Sequence, residues 1–160
     1  VLLSNYQGKQ FNGPNDLWIN CNGDIYFTDP YYKRDYWTRI ARDLPGNDVY
    51  YLPKGAKQPI HVTSDLNAPN GIVGTADGKY LYVADIGAGK TYKYPIETNG
   101  ELVGKQLLME YSSDGKTLDD KGNIYLTTGK CVLIFNTKGQ MIAKIKVPHE
   151  PNNICFSAKR

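Results

Sequence analysis

The stretch LNAPNGIVGTADGKYLYVADIGAGKTYKYPI, Leu66–Ile96, decides the fold because the rest of the chain repeats it. Asn70-Gly71 opens a short apolar run at Ile72 and Val73, Ala76-Asp77-Gly78 turns the chain, and Tyr80–Ala84 alternates with aromatic and β-branched residues. Such a pattern specifies strand, tight turn, strand. The phrase recurs upstream as PNDLWINCNGDIYFTD (Pro14–Asp29) and downstream as SDGKTLDDKGNIYLTT (Ser113–Thr128). Gly23, Gly78 and Gly122 stand 55 and 44 residues apart, and Asn15, Asn70 and Asp114 keep the same intervals. Equal offsets in unequal repeats put these three side chains at one structural position in three successive units.

Repeats of roughly 40 to 50 residues with several strands each are the pattern of propeller blades. The expected fold is all-β, a β-propeller of which this chain covers about three blades with partial strands at each end. The blades are read at 15–66, 67–111 and 112–148, while 1–13 and 149–160 belong to flanking blades. Expected strands run 16–20, 25–28, 49–52 and 60–63, then 71–75, 80–84, 91–95 and 106–110, then 116–119, 123–127, 132–136 and 141–147. Val1–Tyr6 is expected as the outer strand of a preceding unit, and Pro151–Phe156 as the start of a fourth inner strand. Three blades leave two open edges and an uncovered face. The missing blades of a parent chain, or a second copy, are therefore expected to close the ring.

Composition agrees with many short strands: of 160 residues, 16 are Gly, 9 are Pro and 13 are Tyr. The net charge of +3 is modest, and lysines such as Lys79, Lys90, Lys116 and Lys121 are expected on solvated turns. A nucleic-acid surface would need a clustered basic stripe, so none is expected. Nor is membrane insertion, since no apolar run approaches about 18 residues. The chain opens on Val1, which suggests a natural N-terminus removed or never included, and the compartment is left open. Three cysteines, Cys21, Cys131 and Cys155, form no CxxC pair and are expected as buried small hydrophobes.

Between Asp29 and Val49 lies a long insertion, PYYKRDYWTRIARDLPGND, in which Trp37, Ile40, Ala41 and Leu44 are spaced like one face of a short helix. As a loop between second and third strands, it emerges at the end bearing Asn15, Asn70 and Asp114. Tyr31, Tyr32, Trp37 and Arg39 are therefore candidates for a lid or pocket wall. In a propeller the first strand of each blade lines the channel, so Asn15, Asn70 and Asp114 converge on the axis. Two amide oxygens and one carboxylate suit a hard cation, Ca²⁺ before other divalent ions, whereas Zn²⁺ would call for His or Cys. The opposing reading is that Asn and Asp before Gly are ordinary turn residues. His61 and His149 have no nucleophile partner, and Asp29 and Asp85, ending equivalent strands, are expected to cap backbone amides.

Four motifs in order, FNGPNDLWI, LNAPNGIV, YSSDGKTLDDKGNIYLTT and VPHEPNNICFSAK, resemble the landmarks of the gluconolactonase, senescence-marker-protein and luciferin-regenerating enzyme family. The resemblance implies a six-bladed propeller with one divalent cation, usually calcium, in its channel, and hydrolysis of sugar lactones. Position by position, Asn15, Asn70 and Asp114 stand where the family has metal ligands, and Asp16 matches a carboxylate that contacts substrate. Asn152 and Asn153 complete the candidate substrate-binding set. The family's remaining ligand, a first-blade glutamate, has no counterpart, so weak or absent metal binding and inactivity are expected of the isolated chain. Gly13 stands where the animal lactonases carry an arginine.

The expected activity is hydrolysis of a small-molecule lactone, the metal polarising the carbonyl while water attacks and Asp114 orients or deprotonates that water. Phosphotriester hydrolysis, with the same aspartate as nucleophile, is the enzymatic alternative. A non-catalytic ligand-binding propeller with a structural metal is the other.

Overall fold

A computed structural model describes residues 2–157. Among the described residues twelve strands form three four-stranded antiparallel sheets, each in simple sequential order. The first blade contains β1 (Leu17–Ile19), β2 (Ile25–Asp29), β3 (Asp48–Leu52) and β4 (Ile60–Thr63). The second contains β5 (Pro69–Gly74), β6 (Tyr80–Asp85), β7 (Lys90–Pro95) and β8 (Gln106–Met109). The third contains β9 (Lys116–Leu118), β10 (Ile124–Thr128), β11 (Cys131–Phe135) and β12 (Met141–Lys146). The twelve strands expected within the three blades are all present, most with ends shifted by a residue or two.

One turn is used three times. Asn20, Thr75 and Asp119 each accept from the N–H of the glycine three residues on, Gly23, Gly78 and Gly122, at 2.8–2.9 Å. Those glycines sit at φ of 91°, 70° and 76°, left-handed backbone that a Cβ would disfavour. The turn fixes the register of the first two strands in every blade, and with it which residues meet the neighbouring blade.

Alternation then builds the inter-blade cores. Tyr26, Val49, Tyr51, Ile72, Leu81, Val83 and Tyr94 form one cluster joining blades one and two. Tyr82, Met109, Ile124, Leu126, Leu133 and Phe135 form another joining blades two and three. Each fully buried aliphatic or aromatic side chain contributes roughly 1.5–3 kcal/mol. Gly74 is small because the Trp18 indole lies where its Cβ would stand. On the far side of blade one, Phe11, Phe27, Leu44 and Tyr50 form a third cluster.

The ends and the insertion depart from expectation. Of the proposed first strand, Val1 lies outside the described residues, and Leu2–Tyr6 makes only a bridge from Tyr6 to Lys9. Residues 151–157 form no strand either. An extended segment needs a neighbour to complete its ladder, and neither has one. No helix forms over 37–44; the insertion is bends and turns. A helix that short is marginal by itself, and here Arg39 instead donates to the carbonyls of Phe11 and Asn12, with its guanidinium 5.3 Å from the rings of both Tyr31 and Trp37. Lys116, expected on a solvated turn, is 5 % exposed. Among the cysteines only Cys131 is buried; Cys21, in the first turn, and Cys155, in the tail, are exposed.

Candidate metal-binding cleft

The starts of β1, β5 and β9 are pinned to one another by a chain of polar contacts. Asn15 N–H donates to the Thr28 carbonyl at 2.9 Å, and the Thr28 hydroxyl donates to the Asn70 carbonyl at 3.0 Å. Gly71 N–H reaches the Ser113 carbonyl at 3.4 Å, and Gly115 N–H donates to the Thr127 hydroxyl at 2.9 Å. A Cβ on Gly71 would overlap the carbonyl oxygen of Asp114, and one on Gly115 would overlap Asn153. The glycines after Asn70 and Asp114 therefore let the next segment's backbone approach, whereas Asn15 is followed by Asp16.

Two buried carboxylates hold the loops leading into the site. Asp29 accepts from the N–H groups of Asn12 and Gly13 at 2.9 and 2.7 Å. Asp85 does the same for Asn67 and Ala68 at 2.9 and 2.8 Å. Burial raises the pKa of Asp29, and these backbone donors oppose the shift. Both residues are caps, as their equivalent positions suggested.

Asn15, Asn70 and Asp114 line one cleft of about 790 Å³, together with Tyr31, Tyr32 and Asn152. Of the other candidates, Trp37 and Arg39 line a neighbouring depression, and Asn153 packs against Gly115. Asp16 lies between blades: its carboxylate accepts from Ile72 N–H at 3.0 Å and Leu17 N–H at 2.9 Å. Burial raises its pKa, with those two donors opposing. Lys116 Nζ is buried without a hydrogen-bond partner, and burial lowers its pKa to about 7 against the pull of the Asp16 charge.

The cleft also takes in residues the motifs did not single out: Lys33, Arg34, Thr127, Thr128 and Glu150. Glu150 was the findable one, since it immediately precedes Pro151-Asn152, the fourth copy of the site dipeptide. Thr128 stands at the end of β10 where Asp29 and Asp85 end β2 and β6. Lys33 and Arg34 belong to the insertion, outside any repeat.

The donors fit a hard cation. Asn70 is 5 % exposed, and its Oδ1 is buried with no hydrogen-bond partner. A buried carbonyl oxygen left without a partner costs about 1–3 kcal/mol unless something meets it. Among the described residues no three His, Cys, Asp or Glu side chains gather to hold a metal, so a cation here would depend on amide oxygens with Asp114 as carboxylate. At the opposite end of the inner strands, a groove of about 840 Å³ is lined by turn residues such as Thr75, Asp77 and Asp119.

Fold and cleft together define a β-propeller segment whose residues at the repeated inner-strand position line one polar cleft. Residues 1–160 match the family model described as SMP-30/Gluconolactonase/LRE-like region, and the chain belongs to that family. It is 29 % identical to a gluconolactonase of Zymomonas mobilis over 99 % of this chain and 49 % of the relative. It is 28 % identical to the lactonohydrolase oryL of Aspergillus oryzae over 98 % of this chain and 42 % of the relative. Among solved structures, the gluconolactonase XC5397 of Xanthomonas campestris superposes with a TM-score of 0.89 at 28 % identity, over 98 % of this chain and 54 % of that one. The chain thus spans about half the length of the relatives it matches.

Proposed function

We propose that this chain carries the cation-holding and substrate-facing part of a calcium-dependent hydrolase of sugar lactones. The observation that carries the reading is the meeting of Asn15, Asn70 and Asp114 at one cleft, with the Asn70 side-chain Oδ1 buried and unpartnered. Support comes from the lactone-hydrolysing relatives named above, across the whole length of this chain.

Asn15, Asn70 and Asp114 would hold the ion. When bound, it supplies Lewis-acid polarisation of the lactone carbonyl. The chain's own residues do the rest. Asp114 lines the cleft as a carboxylate able to orient the attacking water and take its proton. Water adds to the carbonyl carbon, the ring C–O bond breaks, and the product is an open-chain hydroxy acid. Tyr31 and Tyr32 wall the cleft from the insertion side, where an aromatic face suits the apolar face of a sugar ring.

The test is proton release from a sugar lactone by the protein with its ring of blades closed, with calcium, with a chelator, and with Asp114→Asn. Loss of the general base is expected to cost about 10²–10⁴ in rate, and chelation to remove turnover. Preferred turnover of a phosphotriester would redirect the reading to that chemistry. Binding of a ligand without turnover would make the protein a binding propeller.

A further inference from the structure

We propose that Tyr32 is a positioning residue for Asn70, its hydroxyl holding the side-chain amide so that Oδ1 rather than Nδ2 is left free for a cation; the inference rests on the cation reading above. The two ends of an asparagine amide have nearly the same shape and opposite hydrogen-bonding character, so only the surroundings select which end points where. At Asn70 the selection comes from another blade. Tyr32 Oη lies 3.1 Å from the Ala68 carbonyl and 3.4 Å from the Pro69 carbonyl, both acceptors. Its single proton is committed to them. The phenol oxygen then offers only lone pairs to its remaining neighbour, Asn70 Nδ2 at 3.5 Å. The reversed amide would set two acceptors against each other.

The backbone cannot swing to escape this choice. The Thr28 hydroxyl holds the Asn70 carbonyl at 3.0 Å, and the residue is 5 % exposed, which limits competition from bulk water. The side chain is thus gripped at its nitrogen and its main chain, both from blade one. What remains is Oδ1, buried and unpartnered. A ligand oxygen pre-aimed in this way loses less freedom on meeting a cation, and outer partners of metal ligands typically govern affinity by about 10- to 100-fold. Tyr32 belongs to the insertion, so this control is added to the repeat from outside it.

The experiment is a calcium titration of the ¹⁵N-labelled chain, followed at the Gly71 backbone amide into the millimolar range. Four proteins are compared: wild type, Tyr32→Phe, Asn70→Asp and the double variant. Tyr32→Phe is expected to weaken calcium association about tenfold. In the Asn70→Asp background its effect should fall below about threefold, because either carboxylate oxygen can serve and no orientation is needed. An equal loss in both backgrounds would mark Tyr32 as a mere staple between blades and overturn the proposal, as would no loss in either. Absence of any calcium-dependent shift in wild type would sink the cation reading itself. A second measurement needs no variant: wild-type nuclear Overhauser contacts from the Asn70 amide protons to the Tyr32 ring are expected, and their absence would overturn the assignment even if Tyr32→Phe failed to fold.

Discussion

Asp16 Oδ2 accepts the N–H of Ile72 at 3.0 Å, and this bond ties the inner strand of blade one to that of blade two. Removing the carboxylate strands a part-buried N–H. Asp16→Ala is therefore expected to lower stability by about 1–3 kcal/mol, read as a fall in melting temperature, while Asp16→Asn, which keeps an acceptor, loses less. A contact with substrate would show differently, as lost turnover at an unchanged melting temperature.

Gly71 separates Asn70 from the incoming Asp114 backbone. Adding one methyl there forces the Asp114 carbonyl away, so Gly71→Ala is expected to cost about 1–3 kcal/mol through overpacking and to weaken calcium binding along with it. Gly55→Ala is the control: its φ is 78°, so it carries backbone strain, but nothing lies within reach of its Cβ. A stability loss at Gly71 with calcium affinity intact would separate the two site residues' spacing from binding.

Lys116 should give the fold a pH dependence of definite sign. Its folded pKa is lowered to about 7 by burial, whereas an unfolded lysine titrates near ~10.4. Between those values the unfolded chain holds a proton that the folded one has released, so stability rises with pH across the window. Below pH 7 both states are charged and the penalty is complete. Lys116→Met is expected to raise the melting temperature at neutral pH, by about 1–4 kcal/mol of stability, and to flatten the rise. Thermal melts from pH 6 to 10 check both.

Calcium should itself raise the melting temperature, by mass action on the folded state. Asn15→Ala and Asn70→Ala are each expected to reduce that rise, and magnesium to give a smaller one because it demands a tighter, near-octahedral oxygen shell. Equal responses to both ions, untouched by either substitution, would place the effect away from the cleft.

Local chemistry made much of this legible from the chain alone. The hairpin turns at Gly23, Gly78 and Gly122 need left-handed backbone, and the strands beside them alternate with period two, so turns, strands and blade boundaries follow from neighbours in sequence. The equivalence of Asn15, Asn70 and Asp114 follows from their equal offsets to those glycines. The shape of the insertion was not legible, because Arg39 finds carbonyls 27 and 28 residues away that outweigh a weak helical pattern. Lys116 reads as an ordinary polar residue, yet it is buried where β9 packs beside β5 and near Asp16, a meeting of blades that no local pattern announces.

The sequence by itself determined that this is a propeller of repeated four-stranded blades and which residue of each blade heads its inner strand, since turns and periodicity act over a few residues. Tertiary structure alone decided which side chains those residues face: Tyr32 beside Asn70 and Asp16 beside Ile72. Those meetings are set by how blades stack through their buried cores, and packing between segments far apart in the chain leaves no local trace in either.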